Sequence, residues 1–152
     1  MRVNTYDLMM WDGMPTLSKV KSNNYDCNGD FRTPDIVEEF CKGFLDLHHK
    51  AEEYVYLFSL NTKNKLLGIS EVSHGVVNST ILRSREIYIR ALLMGASNII
   101  LVHNHPSGDT APSSCDNNAT KHIREIGDLV DIPLLDHIIV GDGYYSYAEH
   151  WN

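Results

Sequence analysis

His103 and His105 stand one residue apart at the end of the apolar run Ile99, Ile100, Leu101 and Val102. Such a run is strand-like, and a strand alternates its faces with a period of two, so both imidazoles point the same way. Their Cα atoms then lie about 6–7 Å apart, which lets two ring nitrogens converge on one ion. Pro106, Gly108 and Pro112 forbid regular structure after them and mark a loop. At its far end Ser113 and Asp116 open a helix. Two imidazoles and a carboxylate are the usual ligands of a catalytic zinc, whose fourth position is left to water.

The same residues have plainer readings. A lone His-x-His pair is as compatible with a surface as with a ligand set. Ser113-x-x-Asp116 has the pattern of a helix capping box, in which side chains satisfy free N–H groups. The cap needs no histidines nearby, so the coincidence of both halves favours a metal. Cys115, beside Asp116, faces elsewhere on the helix and reads as small filler. His137 lies in an apolar strand and reads as a satisfied core histidine or one supporting a ligand from behind, and Asp136 is similar. His48, His49, His74, His122 and His150 lack partner spacing and read as structural or surface residues, while Asp109 reads as a turn residue.

These residues need elements to hold them. Residues 1–32 are rich in turn formers and read as a tail or arm, with a short strand near Thr5 to Trp11, packed on the body. Thr33-Pro34-Asp35 starts a helix, with an N-cap, a proline at the first helical position and an early acid. Its stripe of Ile36, Val37, Phe40, Cys41, Phe44 and Leu45 carries it to near His49. Glu53 to Leu60 is a buried strand, Asn61 to Asn64 a hairpin turn, and Lys65 to Val72 the returning strand. Residues 78–83 form a crossover, and a helix capped by Ser84 buries Ile87, Ala91 and Leu92 before Gly95 ends it. After the histidine-bearing strand, residues 114–130 form a helix with Ala119, Ile123, Ile126 and Val130 inward. Leu134 to Val140 and a strand from Tyr144 close the chain. The order α-β-β-α-β-α-β-β describes an α/β layer fold around one mixed sheet.

At 152 residues, with 43% hydrophobic and 22% charged residues, the chain has the size and composition of one globular domain. Three cysteines, Cys27, Cys41 and Cys115, form no disulfide framework and are expected to be reduced. A net charge of −7 argues against broad nucleic-acid contact, although Arg83, Arg85 and Arg90 form a local basic group. The polar start carries no secretory signal and no apolar run is long enough to span a bilayer, as expected of a cytoplasmic protein without a membrane partner.

His103-x-His105, ten intervening residues, and Asp116 with Ser113 three before it resemble the motif of the JAB/MPN metalloenzyme (JAMM) family. The surroundings resemble its bacterial RadC-like branch more closely. They include His103 to Gly108, Pro112-Ser113 and Leu134 to Gly141, and upstream Ser84 to Ile87, Val72 to Gly75 and Glu53. The resemblance runs from about Thr33 to the C-terminus. It implies a single MPN domain over residues 33–152, similar to the cytidine-deaminase three-layer α-β-α sandwich with a mixed sheet. It further implies a metallopeptidase or isopeptidase with one Zn²⁺ per chain on His103, His105 and Asp116, acting on a peptide or protein substrate. The family places a glutamate at the start of the first long strand, to orient and deprotonate the water. Glu53 matches that position, and Glu52, one residue along, faces the other way. Ser113 would hydrogen-bond the tetrahedral oxyanion. Longer RadC-like proteins carry a helix-hairpin-helix region ahead of this domain, which residues 1–32 do not resemble. The alternative is a DNA-repair-associated accessory protein without peptidase turnover; the full ligand set with Glu53 favours the enzyme.

Overall fold

Turn chemistry sets the first element. Asp12 and Gly13 both take positive φ, 49° and 77°, the requirement of a two-residue hairpin loop whose twist matches the flanking strands. In the computed structural model, which describes residues 1–27, 29–75 and 82–151, that loop joins β1 (Arg2–Trp11) to β2 (Met14–Asn24). The expected arm with one short strand is therefore a pair of long strands that extends the main sheet. Val3, fully buried, anchors it in the core.

Helix α1 (Pro34–Phe44) buries Val37, Phe40 and Cys41. It ends before the expected position because Asp46 adopts left-handed backbone (φ 52°), after which Leu47–His49 forms a separate 3₁₀ turn. Strand β3 (Glu53–Leu60) and β4 (Leu66–Gly75) form a hairpin. β4 runs to Gly75, beyond the expected Val72, because its last residues pair with the start of β3, Gly75 opposite Glu53. Most of the expected crossover, residues 78–81, lies outside the described residues. Helix α2 (Ser84–Met94) already includes the expected cap Ser84 as its first residue, has Arg83 at the N-cap position with no side-chain bond to the helix, and is stopped by Gly95 at φ 65°. It buries Ile87, Tyr88, Arg90 and Ala91, and leaves Leu92 58% exposed, against expectation. Arg90 turns its guanidinium back to the Glu86 carbonyl at 2.8 Å on the inner face, while its buried Nε finds no partner among the described residues.

Strand β5 (Asn98–Asn104) leads to the loop and to α3 (Ser114–Leu129), followed by β6 (Leu134–Val140), β7 (Tyr144–Ser146) and a 3₁₀ turn at Ala148–His150. On α3 the buried positions are Thr120, Ile123 and Gly127, while Val130 is exposed. The sheet order is β2-β1-β4-β3-β5-β6-β7, with β1/β4 and β5/β6 parallel and the other pairs antiparallel. Helix α1 covers one face over Phe31, Phe58, Ile69, Val102 and Val140. Helices α2 and α3 cover the other over Leu57, Ile99, Leu101 and Leu134. This is an α/β fold in three layers around a mixed sheet. Among the described residues no helix is long and apolar enough to cross a membrane. The three cysteines are free thiols, and Cys115 is exposed instead of filling space.

Candidate metal centre

Strand alternation puts Leu101 and His103 on the face covered by α3, with His105 one step past the strand end. The chain stays anchored there, since the His105 N–H bonds the Val140 carbonyl at 2.9 Å. Gly108, at φ 83°, turns the loop back, and its carbonyl accepts from Asp142 N at 2.9 Å. A Cβ on Gly141 would stand 2.3 Å from that carbonyl, so only glycine permits this approach. The docked loop presents the Asp109 carbonyl to His105 Nδ1 at 2.7 Å. A carbonyl only accepts, so His105 carries a proton on Nδ1, which leaves Nε2 as the atom that faces His103 and Asp116.

Helix α3 brings the third candidate ligand through its cap. The Asp116 N–H bonds Ser113 Oγ at 3.1 Å, while Ser113 N and Oγ donate to Asp116 Oδ2 at 2.8 and 2.6 Å. The capping box and the acidic ligand position are thus the same residue. Oδ2 takes both donations, and Oδ1 faces His103 Nε2 at 3.5 Å. The structure therefore directs the Ser113 hydroxyl at Asp116.

His103 Nε2 and His105 Nε2 are 3.0 Å apart, and His105 Nε2 is 3.5 Å from Asp116 Oδ2. Donors bound tetrahedrally to zinc at about 2.0–2.1 Å lie about 3.3 Å from one another, close to the 3.0 Å between the two Nε2 atoms and to the 3.5 Å from each to one Asp116 oxygen, Oδ1 for His103 and Oδ2 for His105. Burial pushes the His103 imidazole down to about 4, which keeps it neutral. For Asp116 burial acts upward, but hydrogen bonds from His105 and Ser113 and the proximity of His103 hold the carboxyl well below the usual carboxylate range. Its hydrogen bond to Asp116 raises His105. Two imidazole nitrogens and a carboxylate that converge in this way are a donor set that fits zinc. Asp46, His48 and His49 also bring ligand atoms within 4.8 Å of one another, but all three are exposed.

Glu53 starts β3 on the same sheet face. Val55 pairs with His103, and two residues earlier on β3 the Glu53 side chain returns to that face beside His105. Burial raises its carboxyl above the usual value; His105 opposes this and Asp116 adds to it. Glu52 is exposed and turns away.

Three side chains hold this arrangement from outside. Asn104, buried between the two histidines on the opposite face, accepts from Tyr54 N at 2.7 Å and donates to the Glu52 carbonyl at 3.0 Å. It thereby clamps the start of β3 to the end of β5. Fully buried His137 meets His103 Nδ1 through Nε2 at 2.7 Å, and Thr120 meets His137 Nδ1 at 2.6 Å. Asn104 and Thr120 were not expected from sequence. Asn104 could have been found because alternation turns it inward on the α1 face, and Thr120 because it follows Asp116 by four residues on one helix face. Asp136 is held by Ser146 at 2.7 Å and Ala148 N at 2.9 Å, away from the histidines.

The sequence profile of the RadC-like JAB domain matches residues 31–151. Similar curated proteins include a UPF0758 protein of Clostridium acetobutylicum, 51% identical over 94 residues, or 62% of this chain and 41% of that one. A UPF0758 protein of Alkaliphilus oremlandii is 39% identical over 131 residues, 86% of this chain and 54% of that one. Another from Chlorobaculum parvum is 43% identical over 102 residues, 66% of this chain and 46% of its own length. The chain thus spans about half the length of the curated relatives it matches.

Proposed function

Because this chain belongs to the RadC-like JAB domain family, we propose that it is a zinc-dependent hydrolase of amide bonds, a peptidase or isopeptidase acting on a peptide or conjugated protein. The observation that carries this reading is the convergence of His103, His105 and Asp116 beside a half-buried glutamate on one sheet face. His103, His105 and Asp116 would hold the ion. Bound there, zinc supplies Lewis acidity, enough to lower the pKa of water from about 15.7 to about 7 and to polarise a carbonyl.

Glu53 is the general base. Its raised pKa brings it closer to neutrality, which favours taking a proton from the attacking water and returning it to the leaving amine. Asn104 holds β3 so that this carboxylate stays on the histidine face. Ser113 can donate to the oxyanion only by turning its hydroxyl proton away from Asp116 Oδ2, and the backbone bond from Ser113 N then keeps Asp116 in place.

The reading is tested by incubating the zinc-loaded protein with a library of quenched fluorescent peptides and isopeptide-linked conjugates. Cleavage should disappear on chelation and fall about 10²–10⁴-fold in Glu53→Gln at unchanged zinc content. Cleavage of no member, or full turnover by Glu53→Gln, would contradict it.

A further inference from the structure

The His103–His137 contact is a line of directed hydrogen bonds with a fixed sense. Thr120 Oγ1 donates to the Asp116 carbonyl at 2.6 Å. A hydroxyl has one proton, so toward His137 Nδ1, also at 2.6 Å, Thr120 must accept. His137 therefore carries its proton on Nδ1. It is fully buried, and the hydrogen-bond partners of its ring among the described residues are Thr120 and His103. A second proton on it would be a buried charge with no carboxylate against it, which is costly. Its Nε2 is then bare and accepts from His103 Nδ1 at 2.7 Å. The Tyr147 ring, stacked on His137 at 5.2 Å and 8°, holds the plane of that imidazole, and Tyr147 is itself tied through its hydroxyl to Asn117 at 2.8 Å.

We infer that His137 and Thr120 are positioning residues that fix His103 as its Nδ1–H tautomer, so that the Nε2 lone pair faces His105 and Asp116. The line begins on the backbone of one ligand, Asp116, and ends on the ring of another, His103. It therefore also sets how α3 sits against β5 and β6. His137 and Thr120 touch neither the substrate position nor the ion; they act through His103. The inference rests on the metal reading only for its effect on affinity, since the tautomer is a property of the chain itself.

The test uses ¹⁵N-histidine-labelled full chain without metal, as wild type, Thr120→Ser and Thr120→Val, with His137→Gln as a second route. Long-range ¹H–¹⁵N spectra report which nitrogen of His103 is protonated, and circular dichroism reports folding. Zinc affinity is read by competition with a chromophoric chelator. Wild type and Thr120→Ser should show the Nδ1–H form of His103. Thr120→Val, which can neither donate nor accept, should mix the tautomers and bind zinc about 10–100-fold more weakly. Gln can accept from His103 and donate to Thr120, so His137→Gln should retain most of the affinity. An Nε2–H tautomer of His103 in folded wild type would overturn the inference, whatever the variants do. So would a folded Thr120→Val with wild-type tautomer and affinity. A locked Nδ1–H form in a protein that takes up no zinc would uphold the positioning and contradict the metal reading alone.

Discussion

Asn104 shows how a single side chain serves the site without entering it. It supplies the acceptor and donor that the start of β3 would otherwise take from a neighbouring strand. Asn104→Ala strands the Tyr54 N–H and the Glu52 carbonyl, and should cost about 1–3 kcal/mol in urea unfolding while leaving His103 and His105 in place. Ser113→Ala removes the side-chain half of the capping box, and should cost about 1 kcal/mol and weaken zinc binding through Asp116. A Ser113→Ala chain with unchanged stability would show that the box does not brace the helix. The convergence of the histidines and Asp116 was suggested by spacing and strand parity, whereas Glu53 was suggested only by the family resemblance, with parity choosing it over Glu52. Asn104 and Thr120 were not, because their importance lies in partners 50 and 17 residues away, and one-dimensional periodicity carries no sign of such pairings. The tautomer of His103 is legible only once the donors are oriented in space.

At the scale of elements, the three α-helices and five strands after residue 33 were foreseeable from caps, turns and periodicity, the two 3₁₀ turns were not, and the departures in length and packing have local causes. Helix α1 stops short because the left-handed Asp46 breaks it, which an aspartate permits but does not announce. In α2 the apolar stripe misleads. Tyr88 reaches across to the Ile123 carbonyl at 2.8 Å and Arg90 to its own helix, so both are buried and Leu92 is displaced to solvent. Leu92→Lys should therefore change stability by no more than about 0.5 kcal/mol in urea unfolding. Ile123→Ala, at a fully buried position on α3, should cost about 2–5 kcal/mol. Equal losses from the two substitutions would mean that α2 packs by its sequence stripe after all. The hairpin of β1 and β2 was signalled by Asp12-Gly13, but the strands beside it are half exposed and lack clean alternation, so their length became visible only through their pairing.

In the whole molecule, the sheet brings together candidate ligands that are separated in sequence and covers them with one helix layer. β5 contributes His103, the loop after it His105, α3 Asp116, and β3 Glu53, while β6 supports them from behind through His137. A ligand that binds only the folded form stabilises it, so zinc at about 100 times its Kd should raise the unfolding free energy by about 2.7 kcal/mol in wild type and not in His105→Ala. The most direct test of the account is the zinc content of the purified folded chain, measured by elemental mass spectrometry beside His105→Ala and Asp116→Ala. The account predicts one zinc per wild-type chain and none in either variant, with circular dichroism unchanged. A folded wild type that takes up no zinc when supplied with it would contradict the metal centre and leave the family likeness as a likeness of fold.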